Sequence, residues 1–172
     1  MDYLIRNAMV VDGSGRLPFP GDIAVRKDRI SGIGKTGEMK AEATIDAAGK
    51  VVAPGFIDIH SHTDLTIFHH PLAESKVLQG VTLEVIGNCG IGPFPVNPGR
   101  KGMLLAYLRT LEFLAPPEGL DWTDFTQYAD RLNGLGLSIN LAPLVAHGAL
   151  RIAAMGSENR PPEPEELNRM EE

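Results

Sequence analysis

The sequence predicts an α/β chain in two parts: a short all-β segment over residues 1–53, then parallel strands alternating with helices over 54–172. Three observations predict it. First, Gly 19 and Pro 13 cut 172 residues into many short stretches rather than a few long helices. Second, the stretches before Pro54 are rich in β-branched and apolar residues and are bounded by turn residues. Third, apolar strand-like stretches after Pro54 alternate with segments of helical spacing. The resulting order, β-α-β-(α)α-β-α, places a parallel sheet beneath helices.

In chain order, YLIRNAMVVD reads as a strand stopped by Gly13-Ser14-Gly15. DIAVRKDRISGIG alternates Ile23 and Val25 with polar neighbours, turns at Lys27-Asp28 and resumes through Ile30 and Ile33. ATIDAAGKVVAPG repeats the pattern up to Pro54-Gly55, giving three or four strands. FIDIHSH is the next strand, followed by PLAESKVLQG at helical composition and ending at Gly80. VTLEVIGNCG is a strand stopped by glycines. KGMLLAYLRTLEFL carries Leu104, Tyr107, Leu108, Leu111 and Leu114 at helical spacing. DWTDFTQYADRLNGLG reads as another helix, LSINLAPLVAHG as a third strand, and PPEPEELNRMEE as a helix opening on proline and acids. The Pro/Gly-rich IGPFPVNPGRKG reads as an ordered loop over the carboxyl end of the sheet, where ligands bind in such folds.

Composition narrows the function classes. With 43% hydrophobic and 22% charged residues the chain is not of disordered type. A net charge of −6 leaves no basic footprint, so nucleic acid is not an expected partner. No apolar run approaches the ~18 residues that span a bilayer, and MDYLIRNAMVVDGSG does not read as a signal peptide, so no membrane partner is expected. The single cysteine, Cys89, forms no internal disulfide, and a reducing cytoplasm is the expected location.

The chemistry concentrates where strands end. In a strand over 56–62, Phe56, Asp58, His60 and His62 share one face, while Ile57, Ile59 and Ser61 share the other and are expected to pack on helices. A His-x-His pair at that end brings two imidazoles to one cation, at ~2.0–2.1 Å for zinc. The alternative is a pair of polar residues where a strand leaves the core. Asp64 follows at the strand-to-loop junction. Cys89 ends the next strand between glycines, beside the histidines in a parallel sheet. It reads as a metal-bound thiolate, as an inert buried cysteine, or as a nucleophile paired with His60 or His62. His147 is expected to end the third strand on the same edge. His69 and His70 read as solvated loop residues.

VVAPGFIDIHSHTD, LQGVTLEVIGNCGIGPFPV and LAPLVAHGALR together resemble the D-aminoacylase (N-acyl-D-amino-acid deacylase) branch of the amidohydrolase superfamily. The resemblance implies the N-terminal part of a (β/α)8 TIM barrel, about three βα units over 54–172, preceded over 1–53 by part of a small β-sandwich. It implies one or two zinc ions held by His60, His62 and Cys89, with Asp64, Asn88 and His147 contacting substrate or supporting the ligands. It implies hydrolysis of the amide of a small N-acyl-D-amino acid to a carboxylate and a D-amino acid. A whole barrel takes ~250 residues, so the catalytic aspartate is expected beyond residue 172. The chain is thus expected to be a fragment of weak or no activity by itself. Two alternatives stand beside this. One is a cyclic-amide hydrolase of dihydroorotase or hydantoinase type, which GNCG argues against. The other is a noncatalytic metal-binding module that self-associates through an exposed barrel edge.

Overall fold

β1 (Tyr3–Val10) is the centre of a five-stranded sheet. It pairs antiparallel with β2 (Phe19–Arg26), which pairs antiparallel with β3 (Arg29–Gly34). The Lys27-Asp28 turn is the hairpin between them, with Lys27 in the left-handed region. On its other edge β1 pairs parallel with β4 (Ala43–Asp46) and β5 (Val51–Val52). The alternation of β1 buries Leu4, Ala8 and Val10, and Ala8 and Val10 pack with Ile23 and Ala47 as a small core. The register breaks between Ile5 and Ala8, where Asn7 takes φ +60°. There Asn7 is held by Asp22, which accepts from its backbone N–H, and by Asp46, which accepts from its side-chain amide.

This computed structural model describes residues 1–110 and 119–172, and the chain divides into two units, Met1–Pro54 and Gly55–Glu172. In the second unit β6 (Phe56–Asp58), β7 (Val81–Ile86) and β8 (Asn140–Pro143) run parallel, in the order β6-β7-β8. Between and after them lie α1 (Glu74–Val77), α2 (Lys101–Leu108), α3 (Phe125–Asn133), α4 (His147–Met155) and α5 (Pro164–Glu171). α3 starts where the Asp124 carboxylate accepts from Gln127 N at 3.0 Å. α5 starts on a Glu163/Glu166 capping box with proline in its first turn. The core of this unit stacks Phe68 on Trp122 and Phe94 on Tyr128. Trp122 Nε1 donates to Pro93 O at 2.8 Å. The loop IGPFPVNPGRKG therefore does more than lie over the sheet: its Pro93, Phe94 and Val96 are buried in the core.

The structure departs from the sequence reading in several places. The strand expected over 56–62 stops at Asp58, and the chain bends through residues 59–60. Strict alternation ends there, which leaves Ile59 74% exposed, and Ile57, inside the edge strand β6, is 58% exposed, so neither packs on helices. The helix expected in PLAESKVLQG is a single turn, because Gly80, at φ +83°, follows within three residues. α4 is an element that the sequence pattern does not announce; it is built from ALRIAAM, good helix formers apart from Ile152, and stops at Gly156. The third strand is four residues long, so His147 does not end a strand but begins α4. Leu111 and Leu114 lie outside the described residues.

Candidate metal centre

Beyond Asp58 the chain keeps beside β7 by single bonds instead of a ladder. His60 N donates to Asp58 Oδ1 at 3.1 Å and Ser61 N donates to Val85 O at 3.1 Å. Asn88 donates its side-chain amide to Val85 O (2.8 Å) and Ser61 O (3.3 Å). It thus clamps the residue between the two histidines to the end of β7, a supporting position rather than an open one.

The turn after β7 is set by glycine. Gly87 has φ +80°, and a Cβ there would lie 2.3 Å from Leu144 O. Only a residue without a side chain lets the segment after β8 come this close. Cys89 follows with φ +58°, a conformation that costs a non-glycine residue of order 1–3 kcal/mol and concentrates at functional sites. The first turn of α4 closes on the same loop: a Cβ on Gly148 would meet Gly90 O and Tyr107 Oη at 2.5 Å. Tyr107 Oη donates to Gly90 O at 3.3 Å. Burial, with Cys89 nearby, holds the Tyr107 phenol above its ordinary range.

These constraints bring three expected residues together. Potential ligand atoms of His60, His62 and Cys89 all lie within 4.8 Å of one another. His60 Nε2 is 3.1 Å from Cys89 Sγ, and the imidazoles of His60 and His62 meet edge-on at 5.7 Å. Donors on a tetrahedral zinc stand roughly 3.4–3.7 Å apart, so small side-chain rotations would close the group on one ion. Two imidazoles and a thiol are a donor set suited to zinc. His62 adds an observation pointing the same way: its Nδ1 is buried without a hydrogen-bond partner among the described residues. Burial first, and the neighbouring His60 second, hold His62 below its ordinary pKa, favouring neutral imidazole.

The other expected residues lie around this group without joining it. Asp64 is fully buried, in the 3₁₀ turn Thr63–Leu65. Burial, reinforced by Glu84, pushes its carboxyl up to about 7; backbone N–H groups of Gly87 and Leu65 oppose this only in part. Among the described residues neither carboxyl oxygen has a hydrogen bond of good geometry. His147 lines a cavity of about 630 Å³ that reaches Cys89 and is walled by Met103, Tyr107, Arg151 and Ile152. His69 and His70 are exposed. Sequence reasoning missed Glu84 and Lys76. Glu84 is fully buried in β7, and Lys76 Nζ bridges it (3.1 Å) to Asp58 (2.6 Å). A glutamate amid VTLEVI was the available signal, since a charge in a buried strand demands a partner.

The chain is 37% identical to an N-acyl-D-glutamate deacylase of Alcaligenes xylosoxydans xylosoxydans, over 99% of this chain and 34% of the relative. It is also 37% identical to an N-acyl-D-aspartate deacylase of the same organism, over 92% of this chain and 31% of the relative. Among solved structures it superposes on an N-acyl-D-glutamate deacylase from Bordetella bronchiseptica, complexed with zinc and a phosphonate mimic of the tetrahedral intermediate. That match has a TM-score of 0.86 at 36% identity, covering 98% of this chain and 34% of the other. The chain thus spans about a third of the length of the curated relatives it matches. The amidohydrolase family model matches residues 43–171, three quarters of the chain, and on that match the chain belongs to the amidohydrolase family.

Proposed function

We propose that this chain carries the first metal-binding edge of a zinc-dependent deacylase that hydrolyses the amide of N-acyl-D-amino acids, with His60, His62 and Cys89 as ligands. The observation that carries the reading is the convergence of those three side chains within 4.8 Å. The similarity to deacylases, one of them complexed with zinc, supports the substrate class and the ion. On this reading β6, β7 and β8 are the opening strands of a (β/α)8 barrel, and residues 1–53 are part of a small β-sandwich. The free thiol of Cys89 suits a reducing cytoplasm.

Zinc bound there would lower the pKa of a bound water to ~7 and polarise a carbonyl. The chain's own residues position the groups that would hold the ion. Gly87 and Asn88 fix the turn that presents Cys89, and the bond from His60 N to Asp58 fixes the first imidazole. The cavity beside Cys89 offers Met103, Ala106 and Ile152 to an acyl group, with Arg151 adding positive charge to the same wall. Among the described residues no carboxylate joins the three ligands, so the proton acceptor for water is not assigned to a residue of this chain.

The test is Co²⁺ titration of the 172-residue chain. One equivalent binding with thiolate-to-cobalt absorption, lost in C89A, is the expected result; absence of binding overturns the reading. Hydrolysis of N-acetyl-D-amino acids by the same chain with zinc is expected to be weak. Fast, chelator-sensitive turnover overturns that expectation, and preference for hydantoins or dihydroorotate would shift the substrate class.

A second reading is favoured by one distance. His60 Nε2 and Cys89 Sγ at 3.1 Å are also what a cysteine–histidine nucleophile pair presents. Such a hydrolase would be inactivated by alkylation and indifferent to chelators. Self-association is proposed as well, because Phe56, Ile57 and Ile59 are exposed on and just after β6, an edge strand of its sheet.

A further inference from the structure

We infer that Lys76, with Glu84, is a positioning residue for the His60–Ser61–His62 segment: one ammonium group sets both flanks of the ligand pair. The inference rests on the metal-centre reading.

The segment needs such a device because the sheet does not supply one. β6 stops at Asp58, and from there to Thr63 the bonds from Ser61 N to Val85 O and from Asn88 to Ser61 O are what join the segment to β7. Lys76 Nζ occupies the gap. It donates to Asp58 Oδ2 at 2.6 Å, and Asp58 Oδ1 accepts from His60 N at 3.1 Å, which holds the flank before His60. It also lies 3.1 Å from Glu84 Oε1, and that same oxygen accepts from Thr63 Oγ1 at 2.8 Å. Thr63 and Ser61 share a hydroxyl–hydroxyl bond of 2.7 Å, and Thr63 N donates back to Ser61 Oγ at 3.1 Å. This holds the flank after His62. The network runs Asp58–Lys76–Glu84–Thr63–Ser61 and encloses both histidines.

Glu84 makes the arrangement obligatory. Its side chain is fully buried and its Oε2 has no partner among the described residues, so the carboxylate depends on Lys76 and Thr63. A buried charge that loses its counter-ion is strongly unfavourable, whereas loss of both charges together is tolerated. The pair is therefore tested as a double substitution as well as singly. Groups that orient metal ligands typically change metal affinity 10–100-fold when removed.

The experiment compares wild type, K76M, K76R and K76M/E84Q in the full 172-residue chain, by Co²⁺ affinity, the visible cobalt spectrum and metal-free amide exchange. Expected for K76M/E84Q is a cooperatively folded protein with 10–100-fold weaker Co²⁺ binding and a changed d–d band. The Cys89 thiolate absorption should be retained, and exchange at the His60 and Ser61 amides accelerated. K76R, which keeps the charge, should recover most of the affinity. Co²⁺ affinity of K76M/E84Q within threefold of wild type, or unchanged His60 amide exchange without metal, overturns the positioning role. A wild type that binds no Co²⁺ overturns the metal-centre reading instead, and the exchange measurement still decides whether Lys76 orders the segment.

Discussion

His60 Nε2 lies 3.1 Å from Cys89 Sγ, across 29 residues of sequence and from the ends of two adjacent parallel strands. The contact is a consequence of topology: parallel neighbours end on the same edge, so the loop after one strand meets the loop after its neighbour. Cys89 is turned toward the histidine by the left-handed backbone of Gly87, Cys89 and Gly90.

Zinc is expected to protect Cys89. The thiol is exposed, so iodoacetamide should modify it readily in metal-free protein. One equivalent of zinc should slow modification at least tenfold, with H60A and H62A each losing most of that protection. Mass spectrometry of the alkylated chain is the check. Equal rates with and without zinc would favour the nucleophile reading over the metal centre.

Gly87→Ala should destabilise the second unit by about 2 kcal/mol or more, from a left-handed φ together with a clash against backbone. The added Cβ would sit 2.3 Å from Leu144 O, where no flexible side chain can yield. Urea unfolding measures it. Gly102→Ala, with open space around it in α2, is the control and should be neutral or slightly stabilising.

Acid should loosen the end of the chain through one ion pair. Arg160 grips Glu166 with two nitrogens, at 2.6 and 2.7 Å, and holds its carboxyl down at about 2 against an ordinary 4.5. Because the folded value is the lower one, this stabilisation is fully present above pH 4.5 and is lost as pH falls toward 2. Helical circular dichroism measured from neutral into strongly acidic solution should show it. E166Q should remove that part of the pH dependence while keeping the capping box of α5, since a glutamine carbonyl oxygen also accepts from Glu163 N.

Tyr128→Phe should change stability by less than about 1 kcal/mol, in either direction. The Tyr128 hydroxyl is buried without a hydrogen-bond partner among the described residues, so its removal leaves nothing newly unpaired there. The ring itself stacks on Phe94, and Tyr128→Ala should cost about 3–5 kcal/mol. Thermal unfolding of both variants separates the two contributions.

Much of the architecture was legible because its signals are local. Apolar, β-branched stretches stopped by glycines marked Tyr3–Val10 and Val81–Ile86, turn residues marked the Lys27-Asp28 hairpin, and acidic residues marked the opening of α3. α4 was illegible for an equally local reason. Its apolar residues continue directly from LSINLAPLVAHG, and a run of buried residues has no period that tells strand from helix. Ile59 and His60 escape the strand pattern because alternation holds only while a strand lasts, and β6 ends at Asp58.

By itself the sequence determined which residues are chemically able to hold a metal, His60, His62 and Cys89, and that two strands end beside them. Side-chain type and strand periodicity are properties of a few adjacent residues. Only the tertiary structure decided that the three stand within 4.8 Å, that Asp64 is fully buried, and that Lys76 bridges Asp58 and the buried Glu84. Those outcomes depend on strand order, on where a ladder stops and on which charge is buried against which. They are set by the packing of elements far apart in the chain, where no short stretch of residues records them.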